Sequence, residues 1–156
     1  MIVSRGGVET SRSQSEADVK ALVRRIEQAA APLSEHTLLY LHMGGIEICR
    51  DEDVRAAIEH ITAGIGGKVM LVDMQGANYA LLLEDWPVER GTQVARLLRA
   101  AAQGWAFRHL GSAPWINVGV VQISGRVPAS EILAKAQRTC DSATRRGHNC
   151  IEVCAG

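Results

Sequence analysis

Apolar residues recur at helical spacing through residues 15–31, where Val19, Leu22, Val23, Ile26 and Ala30 share one side of the helix this spacing predicts. Ser15 and Asp18 stand as a capping box at its start, and Pro32 closes it. The period then changes. Residues 37–43 (TLLYLHM) form a short apolar run between charged residues and glycines, which predicts a buried strand. Val54, Ala57, Ile58 and Ile61 predict a second helix over 51–63, stopped by Gly64, Gly66 and Gly67. Two apolar runs, 68–73 (KVMLVD) and 77–84 (ANYALLLE), flank Met74-Gln75-Gly76 and predict an antiparallel hairpin. Pro87 suits the first turn of a third helix, whose apolar face holds Val94, Leu97, Leu98, Ala101 and Trp105. A loop with Gly111 and Pro114 leads into a strand over 115–124 (WINVGVVQIS). Ile132, Leu133, Ala136, Cys140 and Ala143 then mark a last helix ending at Gly147, and residues 150–153 add a short strand.

The order predicts an α+β fold. Its centre is a ferredoxin-like βαββαβ core, a mainly antiparallel sheet flanked by helices, with an N-terminal helix and an extra C-terminal helix and strand. In the ferredoxin-like pattern the helices cover one face of the sheet. Such a fold hosts many functions and does not choose between enzyme, sensor and scaffold. The chain's 156 residues match one compact domain over 15–156, with residues 1–14 expected as a disordered lead-in.

Charge narrows the partners. With 17 basic and 17 acidic residues there is no bulk field for nucleic acid, and the Arg145-Arg146 pair is too small to act as a basic stripe. The longest apolar stretches, such as 79–83, fall far short of the roughly 20 residues that span a bilayer, so no membrane span is expected. Residues near the N-terminus, with Arg5, Glu9 and Arg12 among Gly and Ser, lack the apolar centre of a secretory signal, and the expected location is the cytoplasm. Cys49, Cys140, Cys150 and Cys154 lack CxxC spacing and read as reduced thiols.

Single residues add little chemistry of their own. Gly44-Gly45 lacks the following Lys and the spacing of a phosphate-cradling loop, and reads as a tight strand exit. His36, His42, Cys49 and His60 are not spaced like a known metal site, and His42 reads as the cap of a strand. Trp105 belongs to the core, whereas Trp86, before Pro87, suits a protein contact.

Gln75-Gly76-Ala77-Asn78-Tyr79, followed by Ala80-Leu81-Leu82-Leu83, sits on the predicted hairpin and resembles the GGDEF signature of diguanylate cyclases, which that family also carries on a hairpin. Residues 134–153 (AKAQRTCDSATRRGHNCIEV) are similar to the family's closing helix, glycine stop and last strand, with Gly147 and Asn149 in register, and 116–123 resembles the strand between. The resemblance covers roughly residues 37–153 in element order, and it implies a domain of cyclic di-GMP signalling.

The departures from the family's pattern imply a degenerate copy. A diguanylate cyclase joins two GTP molecules with the help of hard divalent cations, which carboxylates must hold. The matching positions are His42, Gly44 and Ala77-Asn78, none of them acidic, and Glu47 is the only acidic residue nearby. The family's guanine-reading stretch shortens here to 46–51 (IEICRD), its phosphate-contacting Lys and Arg fall on Thr144 and His148, and its inhibitory Arg-x-x-Asp falls on Gly66-Gly67-Lys68-Val69. The expectation is therefore a chain without cyclase activity, cofactor or metal. It implies a regulatory or interaction module whose partner is an EAL-domain protein, a PilZ-domain protein or a second copy of itself. A nucleotide sensor that binds GTP without turnover is the alternative, and an enzyme of altered chemistry ranks last because no acid, base and nucleophile cluster together.

Overall fold

The computed structural model describes residues 7–30, 35–45, 51–64, 68–109, 114–123 and 127–154, with side chains for all of them except 7–15, 30, 51, 53, 54, 57 and 105–109. Helix α1 (Gly7–Ala30) leads into strand β1 (His36–Gly44), helix α2 (Asp51–Ala63), the hairpin β2 (Lys68–Gln75) and β3 (Asn78–Glu84), helix α3 (Val88–His109), β4 (Trp115–Ile123), α4 (Ala129–Arg146) and β5 (Ile151–Cys154). The strands form one sheet in the order β2-β3-β1-β4-β5. Strand β1 is central and antiparallel to both β3 and β4, and β3 is antiparallel to β2. The first four strands thus have the ferredoxin-like arrangement, and β5 extends it in parallel with β4 across the α4 crossover.

Alternation along the central strands feeds two cores. Leu39, Leu41 and Met43 of β1 join Tyr79, Leu81 and Leu83 of β3 under Ile58 of α2 and Val94 and Leu98 of α3. Leu38 and Tyr40 point the other way, with Ala80 and Leu82, toward Leu22 and Ile26 of α1 and Ile132, Ala136 and Cys140 of α4. Both faces of β1 are buried, which is why residues 37–43 read as an unbroken apolar run. The helices of the ferredoxin-like core, α2 and α3, cover one face as expected; the added helices α1 and α4 cover the other.

Three boundaries differ from the sequence reading. Helix α1 starts at Gly7, so most of the segment read as a lead-in over 1–14 is helical, and Ser15 and Asp18 lie inside the helix rather than at its cap. Residues 8–14 are polar apart from Val8 and contain no Gly or Pro, so they show no period yet offer nothing to stop a helix. The hairpin tip is Gly76-Ala77, one residue later than expected, because a bulge between Asp73 and Gln75 lengthens β2. Strand β5 spans 151–154, one residue further on than 150–153. Pro87 does precede α3, its carbonyl accepting from the Arg90 and Gly91 amides, and Gly147 does cap α4. Expectations on Pro32, Glu47, Cys49, Gly66, Gly67, Gly111, Ser124 and the side chain of Trp105 lie outside the described residues.

Strand β4 and helix α4 approach with no room for a side chain between them. A Cβ on Gly119 would stand 2.5 Å from the Cys140 amide nitrogen and 2.8 Å from the Ala136 carbonyl oxygen. This contact fixes how closely α4 packs on the sheet. No described helix is long and apolar enough to cross a membrane.

Candidate functional site

The end of the sheet where β1 finishes brings the matched positions together. His42 is the cross-strand partner of Asn78 on one side and of Asn117 on the other, and Gly44 pairs with Trp115. Opposed residues share a face of the sheet, so all five lie on the side covered by α1 and α4. Tyr79 points to the opposite face and is buried in the core, a structural residue of the signature turn.

Gln75, Gly76 and Ala77 all have left-handed backbone, at φ 74°, 65° and 63°. Two of the three are not glycine, and such conformations persist only where neighbours hold them. Asn78 supplies much of the hold: its Nδ2 donates to the Gln75 carbonyl at 3.0 Å and to the Gly76 carbonyl at 3.2 Å. Asp73 Oδ1 accepts from the Gln75 amide at 2.8 Å, and the Ala77 carbonyl accepts from Met43 N at 3.0 Å. With its amide group spent on carbonyls, Asn78 presents Oδ1 to His42 Nδ1 at 2.8 Å. The network therefore puts a hydrogen on His42 Nδ1, the donor of this pair. The two positions matched to metal-binding carboxylates are bonded to each other as an imidazole and an amide.

The third matched position is covered. The Trp115 indole lies on Gly44, where an added Cβ would fall 2.0 Å from Cζ2 and 2.2 Å from Cε2. His148 stacks on the indole with ring centroids 4.3 Å apart and planes 8° apart, and the tilted ring of His42 lies 5.4 Å from the indole. Thr144 is equally committed: its hydroxyl donates to the Cys140 carbonyl at 3.0 Å and accepts from Asn117 Nδ2 at 3.3 Å. Asn117 is fully buried and also accepts the Cys150 amide at 2.8 Å, while Asn149 accepts the Ile116 amide at 3.1 Å. These paired side-chain bonds zip β5 to the start of β4 and set the position of the loop between them.

Reactive candidates are scarce. Burial, reinforced by the neighbouring Asp141 charge, pushes the Cys140 thiol up to about 12 and keeps it protonated at neutral pH. Its Sγ–H points at the Asn117 carbonyl at 3.5 Å. Burial likewise raises the Tyr40 hydroxyl. Cys150 and Cys154 are half-buried free thiols. His36 is buried at the start of β1, with Nδ1 accepting the Asp85 amide at 2.9 Å, and His60 is exposed on α2, so neither joins His42. Trp86 is partly buried beneath the Arg90 guanidinium, which sits 4.3 Å from the ring centroid. Among the described residues no group of three or more His, Cys, Asp or Glu could hold a metal ion. Sequence reasoning placed His42, Gly44, Asn78, Thr144 and His148 in one site but missed Trp115 and Asn117, whose roles depend on strand register.

No protein-family model matches the sequence, and no curated protein matches it either. Solved structures do match the fold. The active GGEEF domain of a diguanylate cyclase from Vibrio cholerae superposes with a TM-score of 0.75 at 15% identity, covering 86% of this chain and 94% of that one. The diguanylate cyclase SiaD from Pseudomonas aeruginosa, solved in complex with its activator SiaC, gives a TM-score of 0.73 at 13% identity, covering 88% of this chain and 58% of that one. The FimX GGDEF domain from Pseudomonas aeruginosa gives 0.69 at 17% identity, covering 86% and 91%. At these identities the likeness is one of fold, and the chain has the fold of a GGDEF domain.

Proposed function

We propose that this chain, built on the GGDEF-domain fold, is a regulatory or protein-interaction module of cyclic di-GMP signalling that does not make cyclic di-GMP. One observation carries the reading: the three positions matched to cation-holding carboxylates are a bonded His42–Asn78 pair and a glycine roofed by Trp115. Magnesium takes hard oxygen ligands in near-octahedral geometry, and its job in such a reaction is to neutralise phosphate charge and activate the attacking oxygen. His42, Gly44 and Asn78 do not fit that ion. The imidazole is a borderline nitrogen ligand, the amide oxygen already accepts a hydrogen bond, and a carboxylate at residue 44 has no space. The phosphate side supports the same conclusion, because Thr144 carries no charge and has spent its hydroxyl on Cys140 and Asn117.

A protein partner is the use that best suits this scaffold without an acidic cation site. SiaD, of like fold, is solved with a protein activator, which supports partner binding as a use of this architecture. EAL-domain and PilZ-domain proteins, or a second copy of the chain, are the proposed partners, in the cytoplasm. The test is incubation of purified protein with GTP and magnesium or manganese, followed by chromatographic analysis for cyclic di-GMP. No product above a buffer control is expected; product that scales with protein concentration and resists repurification would end the proposal.

A further inference from the structure

The sheet has two outer strands, β2 and β5, and they are guarded unequally. Strand β2 carries Lys68 at one end and the bulge between Asp73 and Gln75 at the other, two devices that keep a free edge from pairing. Strand β5 (IEVC) has no Lys, Pro or bulge, and its one charged side chain turns inward: Glu152 Oε1 accepts from the Ser142 hydroxyl at 2.9 Å and Oε2 is buried. The Val118 amide donates to the Cys150 carbonyl at 3.0 Å, and Val118 stands opposite Ile151. In a parallel ladder of that phase Cys150 and Glu152 aim their backbone groups at β4, whereas Ile151 and Val153 aim theirs away from the sheet. Among the described residues nothing meets those outward groups. Val153 is also 43% exposed, the one large apolar residue of the sheet that is exposed among the described residues.

Charge sets the kind of strand that fits this edge. Ser142 faces β5, since it bonds Glu152, so Arg138, Arg145 and Arg146, one turn to either side of it, stand on the same flank of α4. All three are exposed. On the other face of the sheet, Arg99 of α3 reaches the Asn149 carbonyl just before β5 at 3.2 Å, and Arg96, one turn earlier, is exposed. Among the described residues none of these arginines has an acidic partner. A strand laid on β5 alternates as β5 does. Its residues beside Ile151 and Val153 meet apolar surface, and those beside Glu152 reach the arginines of α4. Pairing β5 with a second copy of itself would instead set these arginines against their own equivalents, which works against self-association here.

We propose that the outer edge of β5 is a docking site for an extended acidic segment of a partner protein, in which β-branched apolar residues alternate with Glu or Asp and which adds a strand to the sheet. The inference rests on the reading of the chain as an interaction module and names the chemistry of its partner. Backbone bonds to Ile151 and Val153 set the register, and the arginines select the sign of the charge. With outward groups on only two residues of β5, the edge is too short to hold a neutral strand, so charge decides what binds.

The experiment titrates the whole chain with a capped peptide of alternating Val and Glu, about six residues long as strands usually are, and follows backbone amides by proton–nitrogen NMR. Saturable movement of the Ile151 and Val153 amides is expected, reduced by added salt. A peptide with Lys in place of Glu, and a Val–Glu peptide N-methylated throughout so that it has no backbone donor, are expected to leave those amides in place. Arg138→Glu is expected to weaken binding about fivefold, and Arg138→Glu with Arg145→Glu about tenfold or more. Val153→Pro is expected to abolish it, since proline removes an N–H that β4 does not use. If that variant does not fold, the arginine variants decide, because they alter exposed side chains. Ile151 and Val153 amides unmoved by the Val–Glu peptide at millimolar concentration overturn the proposal, as does equal binding of the Lys peptide or of the N-methylated one. A dimer of the free chain that Val153→Pro dissolves would overturn it too, by giving the edge to a second copy. The wider reading fails by a different readout: cyclic di-GMP formed from GTP defeats it without moving these amides, and silence toward the peptide leaves it standing.

Discussion

Asn78 illustrates how a single side chain holds a turn in a shape that a carboxylate does not reproduce. An Asp at this position would keep the acceptor toward His42 but lose both donor bonds to Gln75 and Gly76, and would set negative charge against two carbonyl oxygens. Restoring an acid there therefore works against three consecutive left-handed residues. Cys140 offers a prediction at the same scale. Its folded-state pKa is raised to about 12, above the ordinary thiol value of about 8.5, so the folded chain keeps a proton that the unfolded chain releases. The resulting contribution to stability is full below the unfolded value and is lost as pH climbs from there through about 12. Urea midpoints measured from pH 8 to pH 11 are expected to fall more steeply for the wild-type chain than for Cys140→Ala; parallel slopes would contradict it. Tyr40, also raised, adds to the fall in both proteins, which is why the comparison rests on the difference in slope.

At the level of elements, the tightest join is between β4 and α4. The atoms within 3 Å of a Cβ on Gly119 belong to the backbone of α4, and backbone cannot rotate away as a side-chain tip does. Gly119→Ala is expected to lower the free energy of unfolding by about 3 kcal/mol, at the upper end of ordinary overpacking, measured by denaturant titration; a loss under about 1 kcal/mol would mean that α4 shifts freely. This join was invisible in the sequence, where Gly119 reads as one small residue in a strand. What was legible followed from period. The runs at β1 and β3 and the spacing of Ile132, Ala136, Cys140 and Ala143 identify their elements because burial on one or both faces leaves a regular mark. The start of α1 left none, since residues 8–14 carry no apolar period. The hairpin tip was misplaced by one residue because the bulge between Asp73 and Gln75 depends on pairing rather than on composition. The site was half legible for the same reason. His42, Gly44, Asn78, Thr144 and His148 could be matched by order along the chain, but Trp115 enters only once the register sets it opposite Gly44.

For the molecule as a whole, the question is whether the lack of an acid at His42, Gly44 and Asn78 is a matter of composition or of filled space. If composition alone were responsible, His42→Asp, Gly44→Asp and Asn78→Glu together would create an oxygen-rich cation site. The geometry gives a different expectation. Any side chain introduced at Gly44 has to place its Cβ 2.0 Å from the present Trp115 ring, and Trp115 is in turn pinned by its strand pairing and by the stack with His148. The triple variant is therefore expected to be destabilised and to bind manganese no better than wild type, whereas adding Trp115→Ala opens the space and lets three carboxylates converge. Electron paramagnetic resonance of free manganese during a titration measures this directly, with circular dichroism reporting the fold. Manganese binding by a folded triple variant with Trp115 intact would show that the indole is not the barrier. A folded quadruple variant that binds none would show that the shape of the sheet end, and not the indole alone, keeps the cation out. The expected result, binding only after the tryptophan is removed, makes Trp115 the residue that keeps three added acids at this sheet end from forming a cation site.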